Sequence, residues 1–175
     1  SRFPVRMMES GPAAGALVAS YYAERLGLDR LLSFDMGGTT AKACLIEDRK
    51  PTVTGLFEVD RMYRFKAGSG MPVIIPAIDM IEIGAGGGSL ASVDALGLLK
   101  VGPRSAGSEP GPACYGRGGE NPAVTDADLV LGLLDADNFL GGDMQLDKAA
   151  SEAAIKPLAD RLGTSVPQTA RGIFQ

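Results

Sequence analysis

Hydrophobic and polar positions alternate along this chain in two regimes, short apolar runs first and helical periodicity after, with one early helix ahead of both. SGPAAGALVASYYAERLG opens with Ser10 as an N-cap and Pro12 in the first turn, then runs helically until Gly27 stops it. LLSF and AKACLIE read as strands, and TVTGLFEV follows the turn-forming EDRKP, so a three-stranded meander is expected with Pro51 opening its third strand. MPVIIPAIDMIEIG carries two prolines and predicts a loop entering one strand at 80–83. SLASVDALGLLKVGP predicts a hairpin turning near 95–97, and 102–122 is almost pure turn, a length that usually marks a functional loop. Beyond it, Thr125 and Asp126 are expected to cap DADLVLGLL, with FLGG closing that segment. LDKAASEAAIKPLADRLG predicts a second helix, split or kinked by Pro157, and SVPQTARGIFQ a third. Strands first and helices after give a mixed α/β layer structure.

Composition narrows this picture. A chain of 175 residues that is 45% hydrophobic can bury one core, so one domain is expected. The 24 glycines, close to twice the usual share of about 7%, mean many turns on an aliphatic scaffold. A net charge of −4 without a basic stripe argues against nucleic acid. Asp79 and Glu82 interrupt VIIPAIDMIEI well before the roughly 20 apolar residues of a membrane span. Two cysteines, without metal-ligand spacing, form no disulfide framework, and the cytoplasm is the expected compartment. The opening SRFPVRMMES has neither an initiating Met nor a signal peptide and reads as the interior of a longer chain.

The chemistry concentrates at LLSFDMGGTTAKACLI, where an acid and two glycines interrupt paired apolar runs. A hairpin is expected with its turn at 37–39, Gly37 and Gly38 tolerating unusual dihedrals there. Successive N–H groups in such a turn form an anion site, and a side chain at either glycine would obstruct a phosphate. Thr39 and Thr40 add hydroxyls, and Asp35 at the strand end can bind Mg²⁺ and so hold β- and γ-phosphates. The plain alternative is a capped hairpin turn and nothing more. No Walker motif occurs.

A second cluster, IEIGAGGGSLAS, matches the dinucleotide frame at Gly86, Gly88 and Ala91, but a hairpin rather than a helix follows it, which argues against a Rossmann site. It is either tight backbone packing beside a cleft or an anion- or substrate-facing loop formed by Gly86, Gly87, Gly88 and Ser89. Asp79 and Glu82, just before it, are candidate metal ligands or bases. Cys114 has no partner base nearby in sequence and reads as a structural thiol rather than a nucleophile.

SGPAAG, FDMGGTTAK, IGAGGGS, VDALGLLKVGPRSAGSEPGPACYGRGG, TDADLVLG and FLGG, in this order, resemble the hydantoinase A / 5-oxoprolinase family, from Ser10 to about Gly172. The resemblance implies a partial ribonuclease H-like lobe of the actin-like ATPase and sugar-kinase superfamily. It also implies ATP-dependent opening of cyclic amides or, in the acetone carboxylase branch, carboxylation of ketones. FDMGGTTAK then matches the second phosphate motif, with Asp35 catalytic and metal-binding and Gly37, Gly38, Thr39 and Thr40 at the phosphates of ATP. The first phosphate motif would lie upstream, making this the central part of an A subunit or region that provides half of a nucleotide site. Two departures stand out: Lys42 replaces a common Asp, so it can contact phosphate but not metal, and Ile81 replaces a common His, leaving Glu82 beside it as the candidate ligand. The implied cofactors are ATP and Mg²⁺, with room for a second divalent metal. The implied partners are a B-type subunit or region and a small cyclic amide, and from another class stands a module that holds nucleotide without chemistry.

Overall fold

The computed structural model describes Pro4, 10–59 and 68–175. Two compact units organise these residues, Ser1–Asp35 with Lys42–Glu82, and Met36–Ala41 with Ile83–Gln175.

In the first unit, α1 (Ser10–Leu26) precedes β1 (Arg30–Met36), β2 (Ala41–Glu47) and β3 (Lys50–Pro51), which neighbour one another in that order, with β8 (Ile81–Ile83) also on β2. Gly27 ends α1 in the left-handed conformation that costs a residue without Cβ nothing. Ala16 and Ala23 of α1 pack on Cys44 and Ile46 of β2, with Ala19, Leu31, Ile78 and Met80 beside them. Small residues on the helix's inner face let it close on the sheet, and the two-residue period of β2 puts Cys44 and Ile46 on that face. Asp48 and Arg49 form the β2 to β3 turn, both at positive φ, as two-residue hairpin loops require. Arg49 is steadied by Asp29, whose Oδ1 accepts from Nε at 3.1 Å and Nη2 at 2.9 Å.

The expected third strand does not run through TVTGLFEV. Only Lys50–Pro51 extends the sheet, and Pro51 ends rather than opens that strand. The Leu56 N–H donates to the Thr54 hydroxyl at 3.2 Å, a local turn that competes with a ladder and breaks the run at Gly55. Two small antiparallel pairs replace it: β4 (Val53–Thr54) with β7 (Ala77–Ile78), and β5 (Phe57–Val59) with β6 (Met71–Val73). The strand expected at 80–83 is β8.

In the second unit, β9 (Ser89–Val93) and β10 (Leu99–Ser105) form the expected hairpin, Val93 opposite Leu99 and Ala91 opposite Val101. Asp94 shapes its turn by accepting from the N–H groups of Leu96 and Leu98, both at 2.9 Å. Helices α2 (Val124–Val130), α3 (Lys148–Leu162) and α4 (Val166–Phe174) follow. Ala127, Ile155, Ala170 and Ile173 join Ala91 and Val124 in one core. Pro157 neither splits nor ends α3. It lies on the exposed face together with Ala153, so water takes the carbonyl that loses its partner. FLGG does not close α2; it forms a separate 3-10 turn at Leu140–Gly142. Ser165 caps α4 in reciprocal bonds with Gln168.

Thr125 and Asp126 lie inside the first turn of α2, which starts at Val124. Asp126 is wholly buried, and its carboxylate accepts from Ala113 N (3.1 Å), Cys114 N (2.8 Å), Ala123 N (2.8 Å) and Ser151 Oγ (2.8 Å). One side chain thus starts α2, ties it to α3 and pins the short 3-10 turn Ala113–Tyr115. Replacing it strands four donors in a dry interior. Asp126→Ala is therefore expected to lower stability by about 3 kcal/mol or more, read from urea unfolding midpoints. A loss below about 1 kcal/mol would mean that the pinned turn holds itself.

Candidate functional site

The turn between β1 and β2 belongs with the second unit. Gly37 N–H donates to Thr40 O at 2.9 Å, leaving Gly38 and Thr39 at the tip of the expected hairpin. Neither Gly37 nor Gly38 has a positive φ, so tolerance of unusual dihedrals is not why glycine stands there. The reason lies in what approaches. The second glycine cluster lies against this turn, with Gly87 N–H donating to Gly37 O at 3.0 Å and Gly88 N–H to Gly38 O at 2.7 Å. A Cβ on Gly86 would stand 2.5 Å from Gly37 O and 2.6 Å from Thr39 N, and one on Gly88 would stand 2.9 Å from Gly38 O. Side chains at 86 and 88 are excluded by backbone.

This contact sorts the donors of the two clusters. Gly86 N–H is taken by Ser89 Oγ (2.9 Å) and Ser89 N–H by Gly86 O (2.9 Å), so all four N–H groups of 86–89 are spent inside the fold. At the turn the carbonyls of Gly37, Gly38 and Thr40 are engaged, while among the described residues nothing accepts from the N–H groups of Gly38, Thr39 and Thr40. A Cβ on Gly38 would meet no described atom within 4 Å.

Two further contacts hold the cluster. Thr125 N–H and Thr125 Oγ1 both donate to Gly87 O at 2.8 Å, and Ala106 N–H donates to Gly88 O at 2.7 Å. The Gly87 peptide is thus fixed at both ends, by the start of α2 on one side and by the turn on the other. A cavity of about 210 Å³ opens here, lined by Gly37, Gly38, Gly87, Gly88, Tyr115 and Thr125 among others, with no charged side chain among its described lining residues.

Asp35, Lys42, Asp79, Ile81 and Glu82 belong with the first unit. Asp35 is exposed, one residue before the end of β1. Lys42 Nζ lies 3.7 Å from Glu82 Oε1, the lysine side chain 13% exposed and the glutamate 54%. A carboxylate so placed has much of its charge met by the ammonium. Ile81 is exposed on β8, and Asp79 adds to the burial that raises the Cys44 thiol pKa. Among the described residues no three His, Cys, Asp or Glu side chains gather as a metal centre. One carboxylate is nonetheless enough for Mg²⁺, which takes the rest of its shell from phosphate and water. Cys114 is fully buried; burial first, then the Asp126 charge and hydrogen bond, push its thiol up to about 12, the state of an inert packing residue.

Sequence reasoning brought the two glycine clusters into view but missed Thr125 and Tyr115 as parts of the site. Thr125 stood out only as a helix cap, and no local pattern announces a bond to a carbonyl 38 positions earlier.

The Hydantoinase/oxoprolinase family model matches residues 1–175. An uncharacterized protein of Methanocaldococcus jannaschii is 46% identical over 98% of this chain and 26% of its own length. The caprolactamase subunit alpha of Pseudomonas jessenii is 40% identical over 97% of this chain and 23% of its own. The nucleotide-free structure of acetone carboxylase superposes with a TM-score of 0.83 at 34% identity, over 99% of this chain and 23% of that one. The chain spans about a quarter of the length of these relatives. Its mixed α/β architecture is that of the matching part of acetone carboxylase. Among the described residues no helix is long and apolar enough to cross a membrane.

The two glycine clusters should respond oppositely to one added methyl. Gly86→Ala forces backbone against backbone and is expected to cost about 2 kcal/mol or more. Gly38→Ala should leave stability within about 0.5 kcal/mol. Thermal and urea unfolding of both variants measure this, and equal losses would contradict the assignment of 86 to packing and 38 to open space.

Proposed function

This chain belongs to the hydantoinase/oxoprolinase family, and on that premise we propose that its 37–40 turn holds the phosphates of ATP as one half of the nucleotide site of a longer enzyme that activates a cyclic amide. One observation carries the reading. Among the described residues three successive N–H groups, of Gly38, Thr39 and Thr40, have no acceptor, on a turn whose Gly37, Gly38 and Thr40 carbonyls are engaged, next to a glycine whose missing side chain leaves open space. Such a nest suits a polyanion. The 86–89 cluster contributes by holding the turn in that shape, and Thr39 and Thr40 offer hydroxyls beside it. Asp35, at the entry to the turn, is the carboxylate for Mg²⁺, which would offset phosphate charge when bound. Lys42, held against Glu82, keeps its charge near the start of β2, and Glu82 is the weaker metal candidate because that charge already engages it.

In the proposed reaction the γ-phosphoryl leaves the terminal bridging oxygen of ATP and joins the carbonyl oxygen of the cyclic amide. Water adds to the ring carbon, the carbon–nitrogen bond breaks as nitrogen takes a proton, and a second water releases phosphate from the acyl phosphate. ADP, phosphate and the open amino acid result. The protein's part is position and charge compensation, since phosphoryl transfer asks for little else. The opposing phosphate motif and a B-type subunit or region complete the enzyme; a relative named as an alpha subunit accords with that division. A second reading, phosphorylation of a ketone's enolate oxygen before carboxylation, is favoured by the likeness to acetone carboxylase. Phosphate release by the full-length protein separates the readings: stimulation by lactams supports the first, stimulation by ketone with bicarbonate the second, and nucleotide binding without release supports a non-catalytic module.

In the full-length enzyme, Asp35→Asn should keep the fold and lower ATP-dependent turnover by about a hundredfold or more. Comparable turnover at saturating Mg²⁺ and ATP would leave Asp35 a turn residue. The 175-residue chain by itself should bind Mg-ATP only at millimolar Kd, on the order of −4 kcal/mol, because phosphates held from one side stay screened by water. Micromolar binding in calorimetry would mean that this chain holds the whole site.

A further inference from the structure

The cavity beside the phosphate turn carries one side-chain donor that the reading above does not use. Of its lining residues only Thr125 and Tyr115 bear hydroxyls, and the Thr125 hydroxyl hydrogen goes to Gly87 O at 2.8 Å. Tyr115 is held with unusual firmness for a residue in a glycine-rich loop. It ends the 3-10 turn whose Ala113 and Cys114 N–H groups sit on the buried Asp126, and its own N–H donates to Pro112 O at 3.0 Å. Its ring lies against Gly111, at φ +78°, where an added Cβ would stand 2.6 Å from Cδ2. The Phe139 ring flanks it at 5.8 Å between centroids. Among the described residues nothing hydrogen-bonds the phenol oxygen. Burial foremost, then the neighbouring Cys114 and Asp126, raise its pKa against a smaller opposing pull from Arg117, so at neutral pH it remains a donor.

We propose that the hydroxyl of Tyr115, which lines the same cavity as Gly37 and Gly38, donates a hydrogen bond to the transferring phosphoryl group. This rests on the phosphate-turn reading and adds a contact to it. At about 210 Å³ the cavity is below the roughly 300–1,000 Å³ of ordinary ligand pockets and suits one tetrahedral or planar phosphoryl group rather than a whole nucleotide. Charge in phosphoryl transfer spreads over the three equatorial oxygens. Among the described residues no cation lines this cavity, so a rigid neutral donor is the group they offer there to meet that charge.

The test is calorimetric, on the full-length protein, and needs no knowledge of the organic substrate. Tyr115→Phe keeps the ring and its packing while removing the donor. Its affinity for Mg-ADP should stay within about twofold of wild type, whereas its affinity for Mg-ADP with aluminium fluoride, a planar mimic of the phosphoryl in transfer, should fall about tenfold or more. Equal affinity of Tyr115→Phe and wild type for the fluoride complex overturns the assignment, as does an equal loss for both ligands, which would mark a collapsed wall. Gly38→Ala, measured alongside, isolates the underlying reading: it should weaken Mg-ADP and the fluoride complex together, and unchanged affinity for both would refute the phosphate turn itself.

Discussion

Two main-chain hydrogen bonds, from Gly87 and Gly88 to the carbonyls of Gly37 and Gly38, are the constraint on which the second unit's arrangement depends. They form only if backbone meets backbone at van der Waals distance, which removes every residue but glycine from position 86. Once formed, they settle the direction of the turn's peptides: carbonyls inward on the cluster, N–H groups left over. Under the proposed reading, an anion site of this kind would be a by-product of satisfying carbonyls rather than of adding positive charge.

The same economy extends one shell outward through two adjacent residues of α2. Thr125 fixes Gly87 with its N–H and its hydroxyl, and Asp126 fixes Ala113 and Cys114, and through them Tyr115. Two parts of the cavity's lining, Gly87 and Tyr115, are thereby referred to the first turn of a single helix, whose inner face is buried in the core with Ala127 and Ile155. A displacement of α2 would move both parts together and preserve their spacing, a useful property where a tenth of a nanometre decides catalytic geometry.

What the sequence made legible follows from the range of the forces involved. The hairpin turning at 37–40, the 89–105 hairpin, and the helices from Ser10, near Asp126 and beyond Lys148 are written in local alternation, periodicity and glycine stops. The break in TVTGLFEV was less visible, because Thr54 bonding Leu56 is a choice between two local options that apolar pattern does not decide. Pro157 was overread, since its cost depends on whether the orphaned carbonyl meets water, a tertiary fact. The IGAGGGS cluster was seen as either packing or anion loop, and only the partners of its N–H groups separate the two. Thr125 and Tyr115 were out of reach for the same reason: their partners lie across the fold, and type and spacing carry no trace of them.

Charge, finally, is placed with restraint. Lys42, the nearest lysine to the turn in sequence, has its ammonium 3.7 Å from Glu82, and among the described residues no charged side chain lines the cavity. A lysine aimed at phosphate would hold ATP, ADP and free phosphate alike through long-range attraction, which water and salt also weaken. Fixed N–H groups and a phenol act only within hydrogen-bond reach. Under the proposed reading, such donors distinguish a phosphoryl group seated at the turn from one displaced by an ångström, so the site gains more in the transferring geometry than in ground-state binding. That differential is what accelerates a reaction, and here it would rest on glycine carbonyls held in place by glycine amides.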